Sequence, residues 1–116
     1  MTAPDAGVVL HLSEADPVRH RAVLRNALNL VAELPPGTPV EVVVHGEATA
    51  LARPDADAAG ALQEAFAAHI GLAVCRNSMR SQGLDDADLV PGAVPVTSGV
   101  AHLVARQRQG WAYLRP

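Results

Sequence analysis

The chain has 116 residues, 49 % of them apolar and 18 % charged, with a formal net charge of −3. That is the size and balance of one globular domain with a single core. A mildly acidic chain with no basic stripe, and with one Trp, one Tyr and one Phe, lacks the electrostatic and stacking footprint of a nucleic-acid binder.

No apolar run approaches the roughly 20 residues of a membrane-spanning helix. The opening MTAPDAGVVLHL has neither the basic start nor the apolar segment of an export signal, so the expected compartment is the cytoplasm. All nine cationic side chains are Arg and none is Lys, which together with the heavy use of Ala reads as coding bias. A single cysteine cannot form an internal disulfide; it fits a reducing compartment or a thiol that pairs with another molecule.

Residues 1–6 read as a flexible N-terminal leader, and residues 7–116 as one α/β domain. Gly7 to Leu12 is mostly apolar, as expected of a parallel strand covered on both faces. Asp16 followed by Pro17 marks a helix start, an N-cap and a proline at the first helical position. That helix continues to about Leu34, with Val23, Leu24, Ala27, Leu30, Val31 and Leu34 forming an apolar stripe. Arg21, Arg25, Asn29 and Glu33 take the wet side, and Pro35-Pro36-Gly37 stops the helix.

Val40 to His45 is the second strand, released at Gly46. A short helical turn is expected over Glu47 to Leu51, and a helix from about Asp55 to His69 on the spacing of Leu62, Phe66 and Ile70. Leu72 to Cys75 is the third strand. A helix begins directly after Cys75 and ends at Gly83, with Leu84 as the apolar residue that packs back at a glycine C-cap.

The acidic run Asp85 to Asp88 reads as a solvated loop. Ala93 to Val96 is a fourth strand whose Pro95 requires an edge or a strand end. Thr97-Ser98-Gly99 caps a last helix, Val100 to Gln109, with Val100, Leu103 and Val104 facing inward, and Trp111 to Leu114 is a fifth strand. Strands alternating with helices in this way predict a three-layer α/β/α sandwich around a five-stranded, mainly parallel sheet.

In such sheets reactive groups gather beyond the carboxyl ends of the strands. The strand-to-helix junctions offer Ser13, Glu14 and Asp16; His45 and Gly46; Cys75, Arg76, Asn77 and Ser78; and Thr97 and Ser98. At Cys75, unpaired N–H groups and the positive end of a helix, together with Arg76 and Arg80, favour a thiolate. The alternative is a small buried hydrophobe completing the strand.

His45 either orients or deprotonates the thiol, or caps its strand end. Asn77 and Ser78 bind an anion or serve as ordinary caps. Asn26 either hydrogen-bonds to a neighbouring loop or simply borders the apolar stripe. His11, within a strand, reads as a satisfied core residue. His20, His69 and His102 are too scattered for a metal site. Dinucleotide, NTP-binding, Cys-x-x-Cys and nucleophile-elbow motifs are absent. Trp111 and Tyr113 share one face of the last strand, either in a subunit contact or in sheet-on-helix packing.

Several segments, in this order, resemble the small DsrE-like proteins: VVLHL, LRNALNLVAEL, VEVVVHGEA, AVCRNSMRSQGL and DLVPGAVPVTSGVAHLVARQRQGWAYLRP. The most specific pieces are the His-Gly after strand two, the Cys-x-Asn-x-Met-x-x-x-Gly helix start and the Gln-x-x-Gly-Trp-Ala-Tyr-x-x-Pro ending. The resemblance implies a parallel five-stranded sandwich that assembles into homotrimers or hexameric rings. From the scattered histidines and the missing motifs, no cofactor or metal is expected.

In the family's sulfur-trafficking members a cysteine at this junction carries a persulfide between donor and acceptor proteins, a position that corresponds here to Cys75. Three functions follow as expectations. The first is a sulfur carrier, with Arg76, Asn77, Ser78, His45, Gly46 and Ser13 around the anion. The second is a non-catalytic oligomeric module that binds a small anionic ligand or a protein at the same rim. A hydrolase or transferase is disfavoured by the lack of a visible acid–base pair.

Overall fold

The computed structural model describes residues 6–116, so the leader expected over residues 1–6 lies outside the described residues apart from Ala6. Five strands form one sheet: β1 (Val8–Leu12), β2 (Val40–Val44), β3 (Gly71–Cys75), β4 (Ala93–Val96) and β5 (Ala112–Leu114). Their order is β4-β3-β2-β1-β5 and every pairing is parallel. Pro95 therefore lies on an edge strand, where its missing N–H costs no ladder hydrogen bond.

The helices are α1 (Pro17–Glu33), α2 (Ala59–Ala67), α3 (Arg76–Ser81) and α4 (Gly99–Arg108), with 3-10 segments at Gly46–Ala52 and Asp86–Asp88. Strand order explains the layering. The chain steps from β1 to β2, β3 and β4 in one direction, and right-handed crossovers place the intervening helices on one face. The return from β4 to β5 runs the opposite way, so the same handedness places α4 on the other face. The result is a three-layer α/β/α sandwich.

The two layers are unequal. Beneath α1, α2, α3 and the first 3-10 segment lies the main core, including Leu10, Leu12, Leu24, Val42, Val44, Leu51, Leu62, Leu72, Val74 and Met79. On the α4 face the buried apolar set is only Val9, Val43, Ala73 and Leu103, with Val96 and Trp111 packed against it. Strict alternation along β1 to β3 divides the residues between the two.

Local signals account for the element ends. The Asp16 carboxylate accepts a hydrogen bond from the Val18 N–H at 3.0 Å, with Pro17 opening α1. After α3, Gly83 takes φ +70°, and the buried Leu84 returns its N–H to the Met79 carbonyl at 2.8 Å.

Two expected elements differ from what forms. The helix expected over Asp55 to His69 is limited to Ala59–Ala67. Arg53, Ala56 and Ala59 are joined instead by i to i+3 turns following Pro54, Ala56 N–H to Arg53 at 3.2 Å and Ala59 N–H to Ala56 at 3.0 Å. His69 ends the helix in the left-handed region at φ +64°. On α4, Val100 and Val104 do not face inward; they are 56 % and 47 % exposed.

The face of α4 that meets the sheet runs through Gly99, His102, Leu103 and Arg106. Glu41 on β2 accepts from His102 Nε2 at 2.8 Å and from Arg106 Nε at 3.1 Å. Positions 100 and 104 are one residue round from 99 and 103, about 100° away, and point outward. Among the described residues no helix is long and apolar enough to cross a membrane.

Candidate functional site

Four strands deliver polar side chains to the carboxyl end of the sheet on its α4 face. Cys75 is the last residue of β3 and only 5 % exposed. Burial alone would raise its pKa. Hydrogen bonds from the Ser78 hydroxyl and from the N–H groups of Gly99, Ser78 and Asn77 outweigh this and bring the thiol below its ordinary value. The Ser78 oxygen also accepts the Gly46 N–H at 2.7 Å, which leaves its own hydrogen for the sulfur.

Donors thus come from two helices. Asn77 and Ser78 belong to the first turn of α3, and Gly99 opens α4. Gly99 allows this close approach: a β-carbon there would lie 3.1 Å from Cβ and 3.7 Å from Sγ of Cys75, and 3.2 Å from Cβ of His45.

His45 follows β2 and His11 lies within β1. Their rings meet edge to face at 4.6 Å between centroids, with the Nε2 atoms 3.1 Å apart. Beyond His11, its Nδ1 lies 2.7 Å from the Tyr113 hydroxyl and 3.3 Å from Arg115 Nη1. Arg115 also donates through Nη2 to Ser13 Oγ at 2.9 Å and to Glu14 Oε2 at 3.3 Å. Burial, then the positive charge of Arg115, lowers the His45 pKa. Burial, His45 and Arg115 lower that of His11, against the opposing effect of Glu14.

The junction residues read from sequence divide into two groups. Cys75, Ser78, Gly46 and His45 converge, Asn77 contributes its N–H, and Ser13 joins through Arg115. Arg76 is turned elsewhere: its Nη2 lies 2.7 Å from Asp86 Oδ2 on the exposed side of α3. Arg80 donates to Asn77 Oδ1 at 2.8 Å. Main-chain amides and a hydroxyl, rather than these guanidinium groups, surround the sulfur.

Residues 85–88 are exposed and form a capping box between Asp85 and Asp88. His11 is half-buried on the α4 face, hydrogen-bonded to Tyr113 and His45 at the rim of the small cluster that holds Val9. Arg115 was not singled out from the sequence, Gly99 was read only as part of a helix cap, and Tyr113 only as a subunit contact or sheet-on-helix packing. The usable signal was strand parity, which puts His11 on the face of Val9 and Tyr113 on the face of Trp111.

Asn26 lies in a groove of about 410 Å³ between α1 and the chain end, shared with Leu30, Leu114, Arg115 and Pro116. His20 is buried with Nε2 at 2.6 Å from the Glu14 carbonyl. Among the described residues no group of three metal-ligating side chains is placed to hold a metal ion.

No family model matches the chain, and no curated protein matches it. Among solved structures it is similar to that of the protein of unknown function MTH1491 from Methanobacterium thermoautotrophicum. The two are 37 % identical over 97 % of this chain and 100 % of that one, with a TM-score of 0.90. The chain belongs to the family of that protein. The likeness carries the whole sandwich, from β1 to β5, and assigns no activity.

Proposed function

We propose that the chain is a DsrE-like sulfur carrier of the cytoplasm, loading a persulfide on Cys75 and passing it between partner proteins. The observation that supports this reading is a thiol at the strand end before α3, closely approached by the start of α4 at Gly99 and lowered in pKa by the Ser78 hydroxyl and the N–H groups of Gly99, Ser78 and Asn77. Such donors favour the thiolate and also the perthiolate that replaces it.

Loading balances without an external oxidant. The Cys75 thiolate attacks the outer sulfur of a donor persulfide R–S–SH, the new S–S bond forms as the donor's S–S bond breaks, and R–S⁻ leaves. The reverse exchange, with an acceptor's thiolate attacking the outer sulfur of loaded Cys75, restores the starting thiolate. A low-pKa thiol is also a good leaving group in that second step.

Assembly into homotrimers or hexamers belongs to the same proposal. Val94, Val100 and Val104 expose apolar surface on the thinly covered face, the kind of surface a subunit contact covers. Intact-mass analysis after incubation with a low-molecular-weight persulfide tests the carrier reading. The native chain is expected to gain one sulfur atom and Cys75→Ser none. An unchanged native mass would overturn it.

One observation favours a second reading, a module that binds a small anion or a protein at the same rim: Cys75 is nearly buried while the histidines and Arg115 beside it are more open. In that case Cys75→Ser keeps both ligand and assembly.

A further inference from the structure

Two buried side-chain nitrogens among the described residues lack a hydrogen-bond partner, and one of them is His45 Nδ1. Its position is specific. In the parallel ladder Val44 pairs with Val74, so His45 and Cys75 are the next residues on neighbouring strands. A β-carbon at Gly99 would touch both of theirs, at 3.2 Å and 3.1 Å.

Hydrogen-bond chemistry decides which nitrogens of the two imidazoles carry protons. Arg115 can only donate, so His11 Nδ1, 3.3 Å from its Nη1, is an acceptor. The Tyr113 hydroxyl, 2.7 Å from the same atom, therefore donates as well. Neutral His11 then carries its hydrogen on Nε2 and donates it to His45 Nε2 at 3.1 Å. His45 accepts there, so its own hydrogen is on Nδ1, the buried atom without a partner.

The groups facing the pair are consistent with two neutral rings at neutral pH. Burial and Arg115 lower both pKa values, and Glu14 alone opposes this at His11. A buried N–H without an acceptor is uncommon enough to require a reason.

The geometry points to His45 Nδ1–H as the hydrogen-bond donor to the outer sulfur of a Cys75 persulfide, with His11, Tyr113 and Arg115 as the positioning residues that fix its tautomer. This rests on the sulfur-carrier reading. The inner sulfur sits against the first turn of α3 and against Gly99, whose N–H groups, with the Ser78 hydroxyl, lower its pKa. The outer sulfur, about 2.05 Å further out, carries the negative charge of the perthiolate and needs a donor of its own.

The test loads the native chain, His45→Ala, His45→Asn and Tyr113→Phe with glutathione persulfide. It then follows alkylation of the outer sulfur by iodoacetamide across pH. With the donor removed in H45A the perthiolate ionises at higher pH, and alkylation at pH 6 is expected to fall about tenfold. H45N, with an amide N–H near the Nδ1 position, is expected to recover most of the loss, which a purely structural role would not predict.

Long-range 15N NMR of the native chain is expected to show hydrogen on His11 Nε2 and His45 Nδ1, with Y113F weakening that preference. Should H45A not fold, His45→Gln serves instead, because its amide reaches past the Nδ1 position. A native pH profile in H45A or H45Q, or hydrogen on His45 Nε2, overturns the proposal alone. No sulfur gain by the native chain overturns the carrier reading and this assignment with it.

Discussion

The two faces of the sheet are built for different purposes. Beneath α1, α2 and α3 the contact is broad and almost wholly apolar, from Val8 at one end to Leu84 and Val90 at the other. Beneath α4 it is a narrow strip of Val9, Val43, Ala73 and Leu103, and the rest of that face carries Glu41, His11, His45 and Cys75. Burying charge or imidazole is costly unless it is hydrogen-bonded. The face that carries the candidate site therefore gives up apolar burial, and the opposite face supplies most of the cohesion.

This contrast can be broken most strongly from the thick side. Leu24→Ala, deep under α1 with 1 % exposure, is expected to cost about 3–5 kcal/mol in urea unfolding. Leu103→Ala under α4 is expected to cost about 2 kcal/mol, because an edge-like site collapses more readily. Equal losses would remove the asymmetry.

Gly99→Ala sharpens it next. The added methyl would press on Cys75 and His45, at about 1–3 kcal/mol, and would push away one N–H donor to the sulfur. The native thiol loses its proton at lower pH than a free cysteine, so its alkylation declines as pH falls through that lowered value. In G99A the decline is expected to shift to higher pH, checked by iodoacetamide rates across pH. An unshifted profile would mean that the Gly99 N–H contributes nothing to the thiolate.

The smallest effect on the fold is expected from Val100→Asp with Val104→Asp, both outward on α4. Exposed changes of this kind stay within about 0.5 kcal/mol per site. Under the proposed assembly, the double variant is nevertheless expected to sediment as a monomer where the native chain sediments as a trimer or hexamer. An unchanged distribution would rule out this face as the proposed contact.

Some of this could be read without coordinates because its causes are local. Asp16-Pro17 starts α1, Pro35-Pro36 ends it, Gly83-Leu84 closes α3, and an alternating series of strands and helices with right-handed crossovers leaves few arrangements other than a parallel sandwich. The placement of Cys75 at a strand-to-helix junction follows from a few adjacent residues. Errors were confined to features that sequence spacing leaves ambiguous, such as which stripe of α4 meets the sheet. There the Glu41 hold on His102 and Arg106 outranks the apolar pull of Val100 and Val104.

What the sequence by itself determined is the order of elements, their caps, and a thiol set where helix N–H groups are free. Only the tertiary structure decided what surrounds that thiol. Strand register and parity bring His11, His45 and Tyr113 together across separations of 34 and 102 residues. The crossover of α4 brings in Gly99, and Asp86 draws Arg76 away. Hydrogen bonds and ion pairs act over a few ångströms in space, and no pattern along the chain records those distances.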